Sequence, residues 1–215
     1  MGLKFIQEPE EDCLLGVWEI EEDLSVLREM VRLEEEEEQR LDSFRNEARR
    51  LEFLSVRVLL QRMIGPRARI VYDPSTNKPY LHDRSYNISI SHSGKLTAIL
   101  LSQKKKVGLD MEQMTHRISS IAHYFINPAE RITDDETRKR YHLYIHWCAK
   151  EAMYKICDKN ALNFREHMVL EPFDPAVEGT VVGHVDNGRI RDDFQLHYRR
   201  MKDYVLVWCC KKEIR

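Results

Sequence analysis

An α+β fold of two successive units is the class this chain predicts, on three observations. Helix-like stripes come before runs of alternating strands in the first half. The same order then recurs in the second half, without any letter-by-letter repeat. A length of 215 residues with 42% hydrophobic residues suits one large domain or two small ones and is ample for a buried core. The polar connection around Gln103 to Lys106 sets the boundary, giving units of 1–105 and 106–215.

Leu14 to Ile20 reads as an opening strand, followed by helical stretches over 21–32 and 34–45. The acidic run Glu34 to Glu38 reads as a solvated helix start. Residues 47–64 form a stronger helix, with Leu51, Leu54, Val58 and Met63 on one stripe and Gly65-Pro66 as the stop. Strands follow at 69–72, 86–91 and 96–102. Asp73 to Asn77 supplies turn chemistry between the first two, and Ser91 to Lys95 turns the second into the third. The second half reads as a strand at 106–112 and helices at 117–125, 128–140 and 141–157. Strands near 179–185, 194–200 and 204–210 close it.

The net charge of −2 gives no global attraction to a polyanion, so a nucleic-acid scaffold is not expected. The five cysteines lack metal-ligand or redox spacing and predict free thiols in a reducing cytoplasm. The acidic N-terminus does not resemble a signal peptide, and no apolar run predicts a membrane span.

Chemistry concentrates in two segments. In the strand Val107-Gly108-Leu109-Asp110-Met111-Glu112, alternation places Asp110 and Glu112 on one face and the apolar residues on the other. In Trp147-Cys148-Ala149-Lys150-Glu151-Ala152-Met153-Tyr154-Lys155, helical spacing puts Glu151 and Lys155 one turn apart. Three carboxylates and two lysines are what Mg²⁺ and a diphosphate need: hard oxygen donors for the metal, ammonium groups for the remaining phosphate charge. Taken singly, the first segment reads equally well as a charged strand end, and the second reads better as a solvated helix face.

Gly108-Leu109-Asp110 with Glu112, followed by Trp147-x-x-Lys150-Glu151-Ala152-x-x-Lys155, resembles the two signature motifs of the 4′-phosphopantetheinyl transferases. The chain looks like their longer, Sfp-type, single-chain class. Lys78-Pro79 and Ile88-Ser89-Ile90-Ser91-His92-Ser93 match upstream in the same order. The resemblance implies two pseudo-symmetric halves with the active site between them, the first half making nucleotide contacts and the second carrying metal and catalytic motifs. It implies Mg²⁺ on Asp110, Glu112 and Glu151. It implies coenzyme A contacts from Lys78, Pro79, Ser91, His92, Lys150 and Lys155, with Arg50 (or its neighbour Arg49) toward the 3′-phosphate. It implies Glu151 or Glu130 as the general base, the latter acting through water, and Lys155 beside the departing phosphate. The loose match in the first 70 residues leaves the 3′-phosphate contacts open.

The expected reaction moves 4′-phosphopantetheine from coenzyme A to a serine of an acyl or peptidyl carrier protein. A non-catalytic coenzyme A or carrier binder and a Mg²⁺-dependent phosphohydrolase are the rival readings. With both halves on one chain, a monomer is expected. Arg117, Tyr124 and Phe125 are the candidates for carrier docking, against the usual core placement of aromatic residues.

Overall fold

The computed structural model describes residues 2–115, 117–157 and 162–212. The chain is α+β, and it divides into two compact units between Lys104 and Lys105. Among the described residues, no helix is long and apolar enough to cross a membrane.

The first unit runs β1 (Leu3–Glu10), β2 (Cys13–Glu19), α1 (Leu24–Glu29), α2 (Glu35–Ser43), α3 (Glu47–Ile64), β3 (Ile70–Tyr72), β4 (Pro79–Leu81), β5 (Asn87–Ser93) and β6 (Leu96–Ser102). A four-stranded antiparallel sheet has the order β1-β2-β6-β5, and β3 and β4 form a separate hairpin. Asn46 starts α3 by accepting from the Ala48 N–H at 2.8 Å, and Gly65 ends it at φ 102°, where a side chain would be strained. The α3 stripe of Leu54, Val58 and Leu59 packs with Ile88, Ile99 and Leu101 of the sheet.

β1 was not expected. Its residues mix Lys, Gln and Glu with apolar ones, as an edge strand does to stay partly polar, and it pairs with β2 on one side only. The acidic run starts α2 as read, with Glu34, Glu35 and Glu36 exposed, but it is not solvated throughout. Glu37 is buried and pairs with Arg57 at 2.8 Å, Glu34 meets Arg69 at 3.1 Å, and Glu38 meets Arg28. These pairs tie α2 to α1, to α3 and to the start of the β3 hairpin. Cys13 is disulfide-bonded, contrary to the expected free thiol.

The second unit runs β7 (Lys105–Gln113), α4 (Ile118–Phe125), α5 (Glu136–Ile156), α6 (Phe164–His167), β8 (Met168–Leu170), β9 (Glu178–Asp186), β10 (Arg191–Met201) and β11 (Tyr204–Lys212). The sheet order is β7-β11-β10-β9-β8, antiparallel throughout, with α5 packed across it. Cys148, Cys157 and Cys209 are buried free thiols, whereas Cys210 is disulfide-bonded.

The helix expected over 128–140 does not form as such: residues 126–135 are a loop, and α5 starts at Glu136, capped by Asp135, whose carboxylate accepts from the Thr137 N–H at 2.9 Å. Asn127-Pro128-Ala129-Glu130 carries the letters of a helix start, yet Glu130 turns back to accept from the Asn127 N–H at 2.7 Å and points into the interior. Five backbone groups claim that carboxylate and its partner Lys150, and they outweigh the local helix signal.

His142 and His146 lie one turn apart inside α5, their rings 4.7 Å apart and packed on Phe173. Burial first, and then the neighbouring His146, pushes the His142 pKa down to about 4. Burial likewise pushes His146 down to about 4. Asp174 and Glu130 oppose the shift at His142, while Arg138 adds to it; Lys150 adds to it at His146. A base whose folded pKa lies below its unfolded value of 6.5 binds protons in the unfolded chain first. The stabilisation is therefore full above pH 6.5 and is lost as pH falls toward 4. We expect the unfolding free energy to drop by about 1.4 kcal/mol per pH unit for each proton taken up. Urea melts from pH 7 to 5 measure it, compared with a His142→Gln/His146→Gln variant, whose profile should be flatter. Identical slopes contradict the assignment.

Candidate active site

In the second unit, β7 and α5 approach so closely that a Cβ at Gly108 would lie 2.1 Å from the Ala152 carbonyl oxygen. Only a residue without a side chain permits that spacing, which gives the motif glycine its physical reason. Alternation along β7 then presents Asp110 and Glu112 on one face. Asp110 is only 5% exposed, and the Lys155 ammonium donates to its Oδ1 at 2.9 Å and to the Leu109 carbonyl at 2.7 Å. Cys148, one helical turn before Glu151 on the same face of α5, lies close enough to Asp110 and Glu112 that both carboxylates help burial hold its thiol protonated. Burial is the larger cause. Positions 148, 151 and 155 recur at helical spacing, so Glu151 sits on the α5 face bracketed by two residues that reach Asp110.

Three carboxylates on adjoining faces, with one ammonium among them, form a hard, oxygen-only donor set. That chemistry fits Mg²⁺, and the residues that would hold it are Asp110, Glu112 and Glu151.

Two residues expected at this site are placed elsewhere. Lys150 is 0% exposed, and its ammonium lies 2.6 Å from Phe125 O, 2.7 Å from Glu130 Oε2, 2.9 Å from Met168 O and 3.1 Å from Phe164 O. Four acceptors exhaust its three N–H donors, so the expected phosphate contact is corrected. Burial lowers its pKa while Glu130 opposes that. The Glu130 side chain is itself fully buried and also accepts from the Leu170 N–H at 2.8 Å, which removes it as a general base open to substrate. Sequence spacing does not show which side of a helix buried nearly all round each charge faces. Of the docking candidates, Tyr124 is 68% exposed and Phe125 1%, so Phe125 belongs to the core.

The first unit has its own cleft, about 210 Å³, lined by residues of α2, α3, β3, β4 and β5 and by the loop before β4. Arg49 donates to His92 Nε2 at 2.8 Å and pairs with Glu52 at 2.7 Å. His92 Nδ1 lies 3.6 Å from the Glu52 carboxylate. Arg40 stacks 3.8 Å over the Tyr72 ring, and Pro79 and Asn77 line the same wall. The cleft combines a flat aromatic surface with four basic side chains, Arg40, Arg49, Arg57 and His92, against the Glu52 carboxylate.

Of the expected contacts here, His92 and Pro79 line the cleft, and Lys78 lies between the lining residues Asn77 and Pro79. Ser91 alternates to the opposite face of β5 from His92 and is buried there. Arg50 is turned away, donating from Nε to Phe44 O at 2.7 Å, and its neighbour Arg49 takes the cleft position. The expected turn at Ser91 to Lys95 is shorter than read, because His92 and Ser93 remain in β5. Arg40 and Tyr72 were not anticipated. The signal was the coincidence of a basic residue on one helix and an aromatic residue in a short hairpin, which only the fold brings together.

Residues 106–209 match the family model described as the 4′-phosphopantetheinyl transferase superfamily. Over 112 residues the chain is 30% identical to the 4′-phosphopantetheinyl transferase AcpT of Salmonella typhimurium, and equally to that of Salmonella typhi. The alignment takes in 50% of this chain and 58% of each relative, so the chain spans little over half the length of the curated relatives it matches. The matched region covers β7 to β11 and hence the whole carboxylate and lysine cluster. By that region the chain is similar to the 4′-phosphopantetheinyl transferase superfamily.

Proposed function

We propose that the chain transfers 4′-phosphopantetheine from coenzyme A to a serine hydroxyl of an acyl or peptidyl carrier protein, releasing adenosine 3′,5′-bisphosphate. The observation that carries this reading is the cluster of Asp110, Glu112, Glu151 and Lys155 inside the region matched to the superfamily. A bound Mg²⁺ would supply charge neutralisation for the diphosphate. Asp110 holds Lys155 in place, and the Lys155 ammonium, partly exposed, is the group available to the phosphate leaving with the nucleotide. With Glu130 buried, Glu151 is the carboxylate left to accept the serine proton.

The nucleotide falls to the N-terminal cleft, whose aromatic wall suits a base and whose Arg49 and His92 suit a phosphate. Arg49→Ala should weaken coenzyme A binding about 10-fold, the cost of one charge-assisted hydrogen bond. Dephospho-coenzyme A should be affected far less, because it lacks the 3′-phosphate. Calorimetry with both ligands tests this. Equal losses for the two would move Arg49 off the 3′-phosphate, and no binding of either by the wild type would sink the reading. Both motif sets lie on one chain, so a monomer suffices; specific activity that climbs with protein concentration would count against it.

A further inference from the structure

Lys150 and Glu130 tie together more of the second unit than any other polar contact described there. The Lys150 ammonium takes the carbonyl of Phe125 at the end of α4, that of Phe164 at the start of α6 and that of Met168 at the start of β8. Glu130 completes the set and accepts from the Asn127 and Leu170 N–H groups. Such a lysine satisfies helix-end carbonyls that have no partner within their own helix. Trp147, one turn earlier, packs 5.3 Å from Phe125 and 5.7 Å from Phe164, so the same two segments grip α5 again. The opposite restraint is the Gly108 contact with Ala152. Between them, the rotation of α5 about its axis is fixed. Glu151 follows Lys150 directly, so the azimuth of Lys150 sets that of Glu151.

We propose that Lys150 and Glu130 are a positioning pair, a buried ion pair that aims Glu151 at the β7 carboxylates without touching substrate. This rests on the proposed transferase reading. The pair acts as one unit: removing either charge strands the other in the interior, and removing both relieves that.

The test compares the full-length wild type with Lys150→Met, Glu130→Gln and the double variant. Three readouts are taken: melting temperature, calorimetric affinities for coenzyme A and Mg²⁺, and kcat for transfer to an apo-carrier. We expect each single variant to melt lower, and the double variant to lose less than the sum of the singles. Coenzyme A affinity should stay at the wild-type value while Mg²⁺ affinity weakens and kcat falls about 10-fold or more, as misplacement of a reacting group does. A weakened coenzyme A affinity confined to Lys150→Met would show a direct phosphate contact and overturn the proposal. Unchanged kcat and Mg²⁺ affinity in folded variants would reduce the pair to a stability element and overturn it too. Should Lys150→Met fail to fold, Glu130→Gln, which keeps its hydrogen-bonding shape, carries the same three readouts. If the wild type makes no holo-carrier, the transferase reading fails by itself, and the Mg²⁺ affinities of the variants still decide the positioning claim.

Discussion

Asp110→Ala is expected to abolish transfer, with a loss of about 10³-fold or more, while the chain remains folded. The basis is the double role of this carboxylate, which is buried, holds Lys155 at 2.9 Å and belongs to the three-carboxylate set. Its removal takes away one of few metal ligands and frees the ammonium it orients. Loss of the ion pair at a site where Lys155 keeps some exposure limits the cost to the fold, because the ammonium can turn to water. Turnover over a Mg²⁺ titration, together with a melting curve, distinguishes the outcomes. A folded variant with near-normal turnover would remove Asp110 from the chemistry. A variant that fails to fold would show that the Asp110–Lys155 pair is chiefly structural.

Gly108→Val is expected to destabilise the second unit by about 3 kcal/mol or more, at the upper end of overpacking costs. The first added carbon already lies 2.1 Å from the Ala152 carbonyl oxygen and 2.9 Å from Ile156. The obstacle is helix backbone, which cannot rotate away as a side-chain tip can. Denaturant melts give the stability. In any fraction that stays folded, α5 must move off β7, carrying Glu151 and Lys155 away from Asp110, so transfer should fall further than stability alone explains. A melting temperature within a few degrees of wild type would show that the β7–α5 spacing is looser than described.

The helix at 47–64 and the strand at 96–102 were readable to the residue, because a long apolar stripe ends at Gly65-Pro66 and a continuous apolar run ends at a polar connection. The three-residue strands β4 and β8 and the four-residue α6 were not, as such pieces are too short to show a period. At 128–140 the local code was overruled by Glu130, whose partner Lys150 lies 20 residues away. The site divides in the same way. The face of the strand that carries Asp110 and Glu112, and the face of the helix that carries Glu151 and Lys155, follow from strand alternation and helical spacing, both local properties. The choice of Arg49 over Arg50 does not: neighbours on a helix point about 100° apart, and only the packed fold decides which faces the cleft. Arg40 over Tyr72 is further still from sequence, since it needs α2 and the β3 hairpin to meet.

The most direct test of the transferase reading is an intact-mass measurement. Purified chain is incubated with coenzyme A, Mg²⁺ and a panel of apo acyl and peptidyl carrier proteins, with a chelator control and carriers whose acceptor serine is changed to alanine. The account predicts that at least one apo-carrier gains the mass of a single phosphopantetheine. The gain should require the serine and disappear with chelator, while adenosine 3′,5′-bisphosphate appears in equal amount. Free phosphopantetheine with unmodified carriers would make the chain a hydrolase, and intact coenzyme A bound beside unmodified carriers would make it a binding protein; either result contradicts the account.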